Sequence, residues 1–170
     1  MVAIRKVSVN EIEELHAILH ACGEDMQARF GLSHWLPPYP LDLMRQSAHQ
    51  QRVFAVEKQG ALVATFTLDT QAPSYYPPEI WQMPHAKALY LHRLAVLPSL
   101  QGQGIGTCCL ERIEVLAQQE GFEALRLDAY AAHLKLLTFY RKAGYHLRAT
   151  LTVQTPRRGV QDIACFEKLI

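Results

Sequence analysis

The amino-acid sequence predicts an α/β (α+β) fold built as one domain over residues 1–170, and three observations carry that expectation. Strand-like and helix-periodic runs follow one another in the order β-α-α-β-β-β-α-β-α-β-β. The strand expected at 88–97 opens through a glycine loop directly into a helix. No linker, internal repeat or low-complexity tract interrupts the chain, whose length suffices for one core burying roughly 70% of the unfolded surface.

Each element has a local reason. Residues 2–8 alternate weakly and predict a first strand. Asn10 with Glu13 resembles a capping box, and Ile12, Leu15, Leu19 and Cys22 fall at helical spacing, so a helix is expected over 11–22. Gly23 is expected to interrupt it, with Glu24 to Phe30 as a second short piece. Three prolines in GLSHWLPPYP (31–40) deny both helix and ladder there, and Leu41 to Gln51 looks helical again. Arg52 to Glu57 and Ala61 to Asp69 read as a hairpin around Lys58-Gln59-Gly60.

A second proline-rich loop follows, carrying Tyr75, Tyr76, Pro77, Pro78, Trp81 and Pro84. In the strand 88–97, alternation places Tyr90, His92, Leu94 and Val96 on one face. Leu89, Leu91, Arg93, Ala95 and Leu97 fall on the other. The helix after the glycine loop runs to about Gln119 and stops at Gly121. Leu125 to Tyr130 reads as a strand and Ala132 to Ala143 as a helix ending at Gly144. Residues 145–153 and 160–169 read as a closing antiparallel pair around Pro156 and Gly159.

Charge and cysteine usage narrow the class. Lys plus Arg number 17 and Asp plus Glu 16, so no basic surface for nucleic acid or anionic membrane is expected. No apolar run approaches the ~20 residues that span a bilayer, and MVAIRKVSVNEIEEL lacks a signal-peptide core. Cys22, Cys108, Cys109 and Cys165 form no C-x-x-C pair, so reduced, structural thiols and a cytoplasmic location are expected. His34, His49 and His85 lack the spacing of zinc ligands, and no metal is expected.

The chemistry concentrates in residues 94–107, LAVLPSLQGQGIGT. Glycines 102, 104 and 106 permit positive φ and close approach of a ligand to the backbone. A helix opening at Thr107 adds backbone N–H groups at a positive end, a site for a phosphate or pyrophosphate. The chain holds no Gly-Lys pair, which excludes a P-loop, and Thr107 stands where a dinucleotide loop needs its third glycine.

What remains, Gln101-x-x-Gly104-x-Gly106, resembles the acyl-CoA loop of the Gcn5-related N-acetyltransferase superfamily, Gln/Arg-x-x-Gly-x-Gly/Ala. Residues 133–145, HLKLLTFYRKAGY, resemble that superfamily's Asn-x-x-Ala-x-x-Phe-Tyr-x-Lys-x-Gly-Phe, with His133 in place of Asn and Leu136 in place of Ala. LYLHRLAV (89–96) resembles the arylalkylamine N-acetyltransferase pattern His-Leu-His-x-Leu-Ala-Val, with Tyr90 in place of the first histidine. Tyr90 also stands at the place of the catalytic glutamate of histone-acetylating relatives, a departure from that branch.

The resemblance implies a mixed, mostly antiparallel sheet splayed between its fourth and fifth strands, with helices on both faces. It implies acetyl-CoA as co-substrate in that gap. Contacts are expected from main-chain groups of Leu94, Ala95 and Val96, from the loop Gln101, Gly102, Gln103, Gly104, Ile105, Gly106 and Thr107, and from His133 and Tyr140. The Leu94 amide is expected to polarise the thioester carbonyl, and no side-chain nucleophile is needed.

Acyl transfer to an amine also requires a neutral nucleophile and a protonated leaving sulfur. His92, with an ordinary imidazole pKa near ~6.5, is the candidate base. The resemblance places Tyr140 at the CoA sulfur, and as a phenol with pKa near ~10 it is the candidate acid there. Arg93, on the opposite face, is expected to be a structural ion-pair partner.

The two proline-aromatic loops supply Trp35, Tyr39 and Tyr76, which with Tyr90 are expected to contact the acceptor. Glu79 is the one acidic residue between 70 and 88, which favours a small, partly apolar amine over a basic protein tail. These aromatics serve equally as an edge plug or a dimer contact, and a homodimer stays open. The expected function is thus acetyl transfer from acetyl-CoA to a primary amine in a ternary complex. The alternative is a non-catalytic acyl-CoA-binding or sensing domain.

Overall fold

The computed structural model describes residues 2–155 and 157–170. Its elements are β1 (Ala3–Lys6), α1 (Ile12–Phe30), α2 (Leu41–His49), β2 (Val53–Lys58), β3 (Ala61–Asp69) and β4 (Ala88–Val96). Then come α3 (Ile105–Gln119), β5 (Ala124–Tyr130), α4 (Leu134–Lys142), β6 (His146–Thr155) and β7 (Gly159–Leu169). The order agrees with the expected alternation of strands and helices. The sheet is mixed, with strand order β1-β2-β3-β4-β5-β7-β6 and β4 parallel to β5. Pro156, expected at the last turn, lies outside the described residues.

The chain groups into two compact units: residues up to Leu68 with His92–Cys109, and Asp69–Leu91 with Leu110–Ile170. In the first unit β1 and β3 flank β2 in antiparallel ladders. The β2–β3 turn is made by Gln59 and Gly60, both at positive φ (54° and 80°), the two-residue geometry that matches strand twist. Ile12, Leu15, Ile18, Leu19, Cys22 and Met26 of α1 form the buried stripe of this unit. They join Met44 and Ala48 of α2, Val53 and Ala55 of β2, and Ala95 of β4.

Two local expectations are corrected here. Gly23 does not interrupt α1; the helix runs through it. A Cβ at Gly23 would lie 2.9 Å from Leu36 Cδ2 and 3.1 Å from the Trp35 carbonyl oxygen. The glycine therefore costs about 1 kcal/mol of helix propensity relative to alanine and lets the proline loop lie directly on the helix. The helix start is also set earlier than Asn10 and Glu13: Ser8 N–H donates to Glu11 Oε2 at 3.0 Å, ahead of a 3₁₀ turn over Val9–Glu11.

In the second unit β4 pairs in parallel with β5, with Ala88 opposite Ala124 and Leu91 opposite Leu127. β5 runs antiparallel to β7, with Arg126 opposite Glu167, Leu127 opposite Phe166 and Asp128 opposite Cys165. β6 pairs with β7 as expected from the sequence. The helix α4 begins at Leu134, two residues later than expected, because His133 is its N-cap.

A buried ion pair holds this unit's aromatic loop. Arg126 and Glu167 are 2% and 0% exposed, with Arg126 Nε donating to Glu167 Oε1 at 3.1 Å. Arg126 also donates to the Tyr90 hydroxyl (3.1 Å) and the Met83 carbonyl (2.6 Å), and its guanidinium lies 4.8 Å from the Trp81 ring centre. Glu167 accepts in addition from Gln82 N–H (2.9 Å) and Arg148 Nε (3.2 Å). With each guanidinium nitrogen and both carboxylate oxygens of the pair engaged, its desolvation is compensated only while both partners are present. Arg126→Met is expected to cost about 3 kcal/mol in urea unfolding, at the low end of the range for broken buried pairs because Arg148 still faces Glu167. An unfolding midpoint indistinguishable from wild type, at equal slope, would show that the network relaxes without Arg126.

Candidate functional site

In the first unit the site begins at a kink. Arg93 has φ +53°, a left-handed conformation that non-glycine residues seldom adopt, so period-two alternation fails in the middle of β4. The two faces expected for residues 89–97 are therefore corrected: they cannot be continued by simple alternation through Arg93. His92 and Leu94 are half-buried on either side of the kink, and Ala95 is in the α1 core. The Arg93 guanidinium lies 4.0 Å from the centre of the Tyr39 ring, whose residue also offers its carbonyl oxygen to His16 Nε2 at 2.8 Å. Trp35 is half-buried and packs on the same core.

After β4 the chain makes a 3₁₀ turn (Pro98–Leu100) and enters the glycine loop. Gly102 and Gly104 have φ +78° and +81°, and a Cβ at either would meet nothing within 4 Å. The positive φ and the open space above each Cα form a cradle that any side chain would strain or fill. Gly106 differs from the expectation of positive φ, since it sits in the first turn of α3. Cys108 N–H donates to Gly104 O at 2.9 Å, closing the first helical turn. The N–H groups that begin a helix have no carbonyl one turn earlier, which makes Ile105, Gly106 and Thr107 candidate anion donors.

The polar side chains of the loop support the loop itself. Gln101 Nε2 donates to the Val96 carbonyl at 3.1 Å, and Cys22 Sγ approaches the same oxygen at 3.1 Å. Gln103 Nε2 reaches the Ser99 carbonyl at 3.4 Å, while its Oε1 accepts from Lys58 Nζ at 3.3 Å. The loop's available chemistry is therefore main-chain chemistry.

In the second unit Tyr140 on α4 is 5% exposed, and its ring lies 5.9 Å from both Tyr145 and Phe166. Its hydroxyl makes no hydrogen bond among the described residues. Burial, with the Asp128 charge second, pushes this phenol well above its ordinary pKa, so it stays protonated across the neutral range. His133 Nδ1 accepts the Leu136 N–H at 3.4 Å, which commits that nitrogen to capping α4. Tyr90 and Tyr76 are 6% and 5% exposed, and their rings are 6.1 Å apart.

The expected set thus falls into two groups. His92, Leu94, Ala95, Val96, Trp35, Tyr39 and the loop Gln101 to Thr107 belong to the first unit. Tyr76, Tyr90, His133 and Tyr140 belong to the second. All four cysteines are free. Burial raises the thiols of Cys22, Cys109 and Cys165 to about 12, leaving them protonated and poor nucleophiles. Among the described residues no helix is long and apolar enough to cross a membrane.

Sequence reasoning missed Asp128. It accepts from the hydroxyls of Tyr76 (2.5 Å) and Tyr75 (3.3 Å), and it lies half-buried on β5. The signal was present in LRLDAY (125–130), where charges at 126 and 128 recur with period two inside an apolar run. A charge repeated on one face of a buried strand demands a partner or a ligand.

Residues 13–145 match the model of the acetyltransferase (GNAT) family. The chain is similar to the uncharacterized N-acetyltransferase YesJ of Bacillus subtilis (strain 168), 35% identical over 100 residues. That match covers 58% of this chain and only 55% of the relative, so the chain aligns with about half of its length. Among solved structures, an acetyltransferase of the GNAT family from Streptococcus agalactiae 2603 superposes with TM-score 0.80 at 16% identity, covering 99% of this chain and 95% of that one. The PaiA N-acetyltransferase from Thermoplasma acidophilum, in complex with coenzyme A, superposes with TM-score 0.73 at 16% identity, covering 100% and 99%.

Proposed function

Because the chain belongs to the GNAT acetyltransferase family, we propose that it transfers an acetyl group from acetyl-CoA to a primary amine of a small, partly apolar acceptor, by direct attack in a ternary complex. The observation that carries this reading is the cradle of Gly102 and Gly104 opening into α3. Its open Cα positions and first-turn N–H groups suit a pyrophosphate, and the neighbour from Thermoplasma acidophilum was solved with coenzyme A.

Acetyl-CoA supplies the activated thioester; the chain's residues bind, orient and move protons. Main-chain donors from Gly102 to Thr107 hold the pyrophosphate, while Gln101 and Gln103 brace the loop through Val96 and Ser99. The main-chain amide of Leu94 polarises the reacting carbonyl. His92 takes the proton that the acceptor must lose before its nitrogen can attack. Tyr140, protonated and without a hydrogen-bond partner among the described residues, gives its proton to the departing sulfur. His133, Trp35, Tyr39, Tyr76 and Tyr90 line the cofactor arm and the acceptor.

The test is release of free CoA thiol from acetyl-CoA against a panel of primary amines. Release that depends on the amine supports the enzyme reading. Tight acetyl-CoA binding with no release for any amine would favour the sensing domain instead. With a productive amine, kcat/KM is expected to rise with pH through an apparent pKa near ~6.5 in the wild type. His92→Ala is expected to lose that inflection and follow deprotonation of the amine. An unchanged profile, with chemistry shown to be limiting, would return His92 to a structural role.

A further inference from the structure

Tyr145 has no part in the mechanism above, yet its hydroxyl is buried and makes no hydrogen bond among the described residues. The residue is 3% exposed, so bulk water does not serve it either. A buried hydroxyl left in this way costs free energy that a phenylalanine would not. The superfamily pattern that FYRKAGY resembles ends in Gly-Phe, so this chain carries a hydroxyl where that pattern has none.

The fold brings this hydroxyl to the candidate acid by a short route. Helix α4 ends at Lys142, and the chain turns through Gly144 at φ +84°. Tyr145 N–H then donates to the Tyr140 carbonyl at 3.1 Å, and the two rings meet at 66° with centres 5.9 Å apart. The turn is clamped from β7. Lys168 Nζ donates to the Ala143 carbonyl at 3.1 Å and to Glu114 Oε2 at 2.6 Å, and it lies 5.9 Å from the centre of the Tyr145 ring. Tyr140, Tyr145, Glu114 and Lys168 all belong to the second unit.

What an unpaired donor does here depends on charge. When Tyr140 gives its proton to the departing sulfur, its O–H bond breaks, an S–H bond forms, and a phenolate is left in a buried place. The surrounding charges do not help that phenolate: Asp128 acts on Tyr140 as a negative charge, and Lys168 is already paired with Glu114. Burial first, then charge on Tyr140 and on Glu114, raise the Tyr145 pKa, so Tyr145 keeps its proton and stays a donor. A neutral phenol is a modest acceptor, whereas a phenolate is a strong one. A donor unpaired in the resting state and engaged by the developing charge lowers the barrier without tightening ground-state binding.

Resting on the reading of Tyr140 as the acid, we propose that Tyr145 is a positioning residue whose hydroxyl, directly or through one water, donates to the Tyr140 oxygen as that oxygen loses its proton to the sulfur. The phenolate regains its proton from solvent once the thiol has left.

Tyr145→Phe keeps the ring and removes the hydroxyl. Its melting temperature is expected to equal or exceed that of wild type, because no hydrogen bond within the protein is lost. With an acceptor identified by CoA release, kcat is expected to fall about tenfold while KM for acetyl-CoA stays within about twofold. In the Tyr140→Phe background the same change is expected to alter kcat by less than about twofold, since no phenolate forms there. A reading independent of activity uses protein grown with 3-fluorotyrosine, whose phenols are more acidic, followed by fluorine NMR against pH. The Tyr140 resonance, assigned by its loss in Tyr140→Phe, is expected to titrate about one pH unit higher in Tyr145→Phe, because removing a donor disfavours the charged form.

The proposal is overturned if Tyr145→Phe leaves either kcat or that midpoint unaltered, or if its loss of kcat persists in the Tyr140→Phe background. Equal kcat for Tyr140→Phe and wild type would instead remove Tyr140 from the reaction, and this proposal with it. Absence of CoA release with every amine would sink the acetyltransferase reading, and the fluorine midpoint alone then decides whether Tyr145 supports charge on Tyr140.

Discussion

Gly104→Val is expected to abolish acetyl-CoA binding while leaving the fold intact. Gly104 has φ +81°, where a β-branched residue is strained by roughly 1–2 kcal/mol, about a tenfold penalty in any equilibrium that needs that geometry. The larger loss comes from space. A Cβ at this position meets no protein atom within 4 Å, so the valine methyls project into the volume assigned to the pyrophosphate. Because nothing in the protein is displaced, melting should fall only by the few degrees that this backbone strain costs, whereas titration with acetyl-CoA should show no heat of binding. Gly60→Val is the matched control: Gly60 has φ +80° with equally open space, at the β2–β3 turn, and its substitution should leave affinity unaltered. Unchanged acetyl-CoA affinity in Gly104→Val would remove the loop from the binding site.

The second large effect is expected on turnover alone. Tyr140→Phe retains the ring that packs against Tyr145 and Phe166 and removes a hydroxyl with no hydrogen-bond partner among the described residues. Stability and acetyl-CoA affinity should hold, since no protein hydrogen bond is broken. A kcat loss on the order of 10² is expected for losing one acid catalyst. The direction of the phenol's pKa sets the pH dependence. Burial raises it, so the acid form persists through neutral pH, and the decline from its deprotonation belongs only to strongly alkaline solution. Steady-state rates with a verified acceptor check this, and equal kcat for the two proteins would make Tyr140 a packing residue.

The left-handed backbone at Gly104 and the helical placement of Tyr140 were legible from the sequence because their signals are local. Glycines 102 and 104 advertise left-handed backbone, and FYRKAGY follows a helical stripe ending at a glycine. Other features were not legible for equally physical reasons. Gly23 looked like a helix breaker, since propensity is local, yet contact with Leu36 and Trp35 decides its role. Gly106 looked like a third turn residue and became part of α3. Alternation along β4 predicted two uniform faces, but Arg93 adopts φ +53° and ends that pattern within the strand. His133, read as a helical residue, became the N-cap of α4.

By itself the sequence determined the order of strands and helices, the hairpin around Lys58-Gln59-Gly60, the glycine cradle and the motif-bearing residues. Each depends on neighbours a few positions away, through periodicity, φ preference and hydrogen bonding along the chain. Tertiary structure alone decided the long-range partners. It joined Arg126 to Glu167, and it joined Tyr75 and Tyr76 to Asp128, 53 and 52 positions apart. It also left the Tyr140 hydroxyl without a hydrogen-bond partner among the described residues. A charge or hydroxyl in a buried strand must be satisfied, but sequence alone does not say which distant group satisfies it; sheet register does. That register, setting Asp128 opposite Cys165 and Leu127 opposite Phe166, is what divides β5 into a carboxylate face and a Tyr140 face.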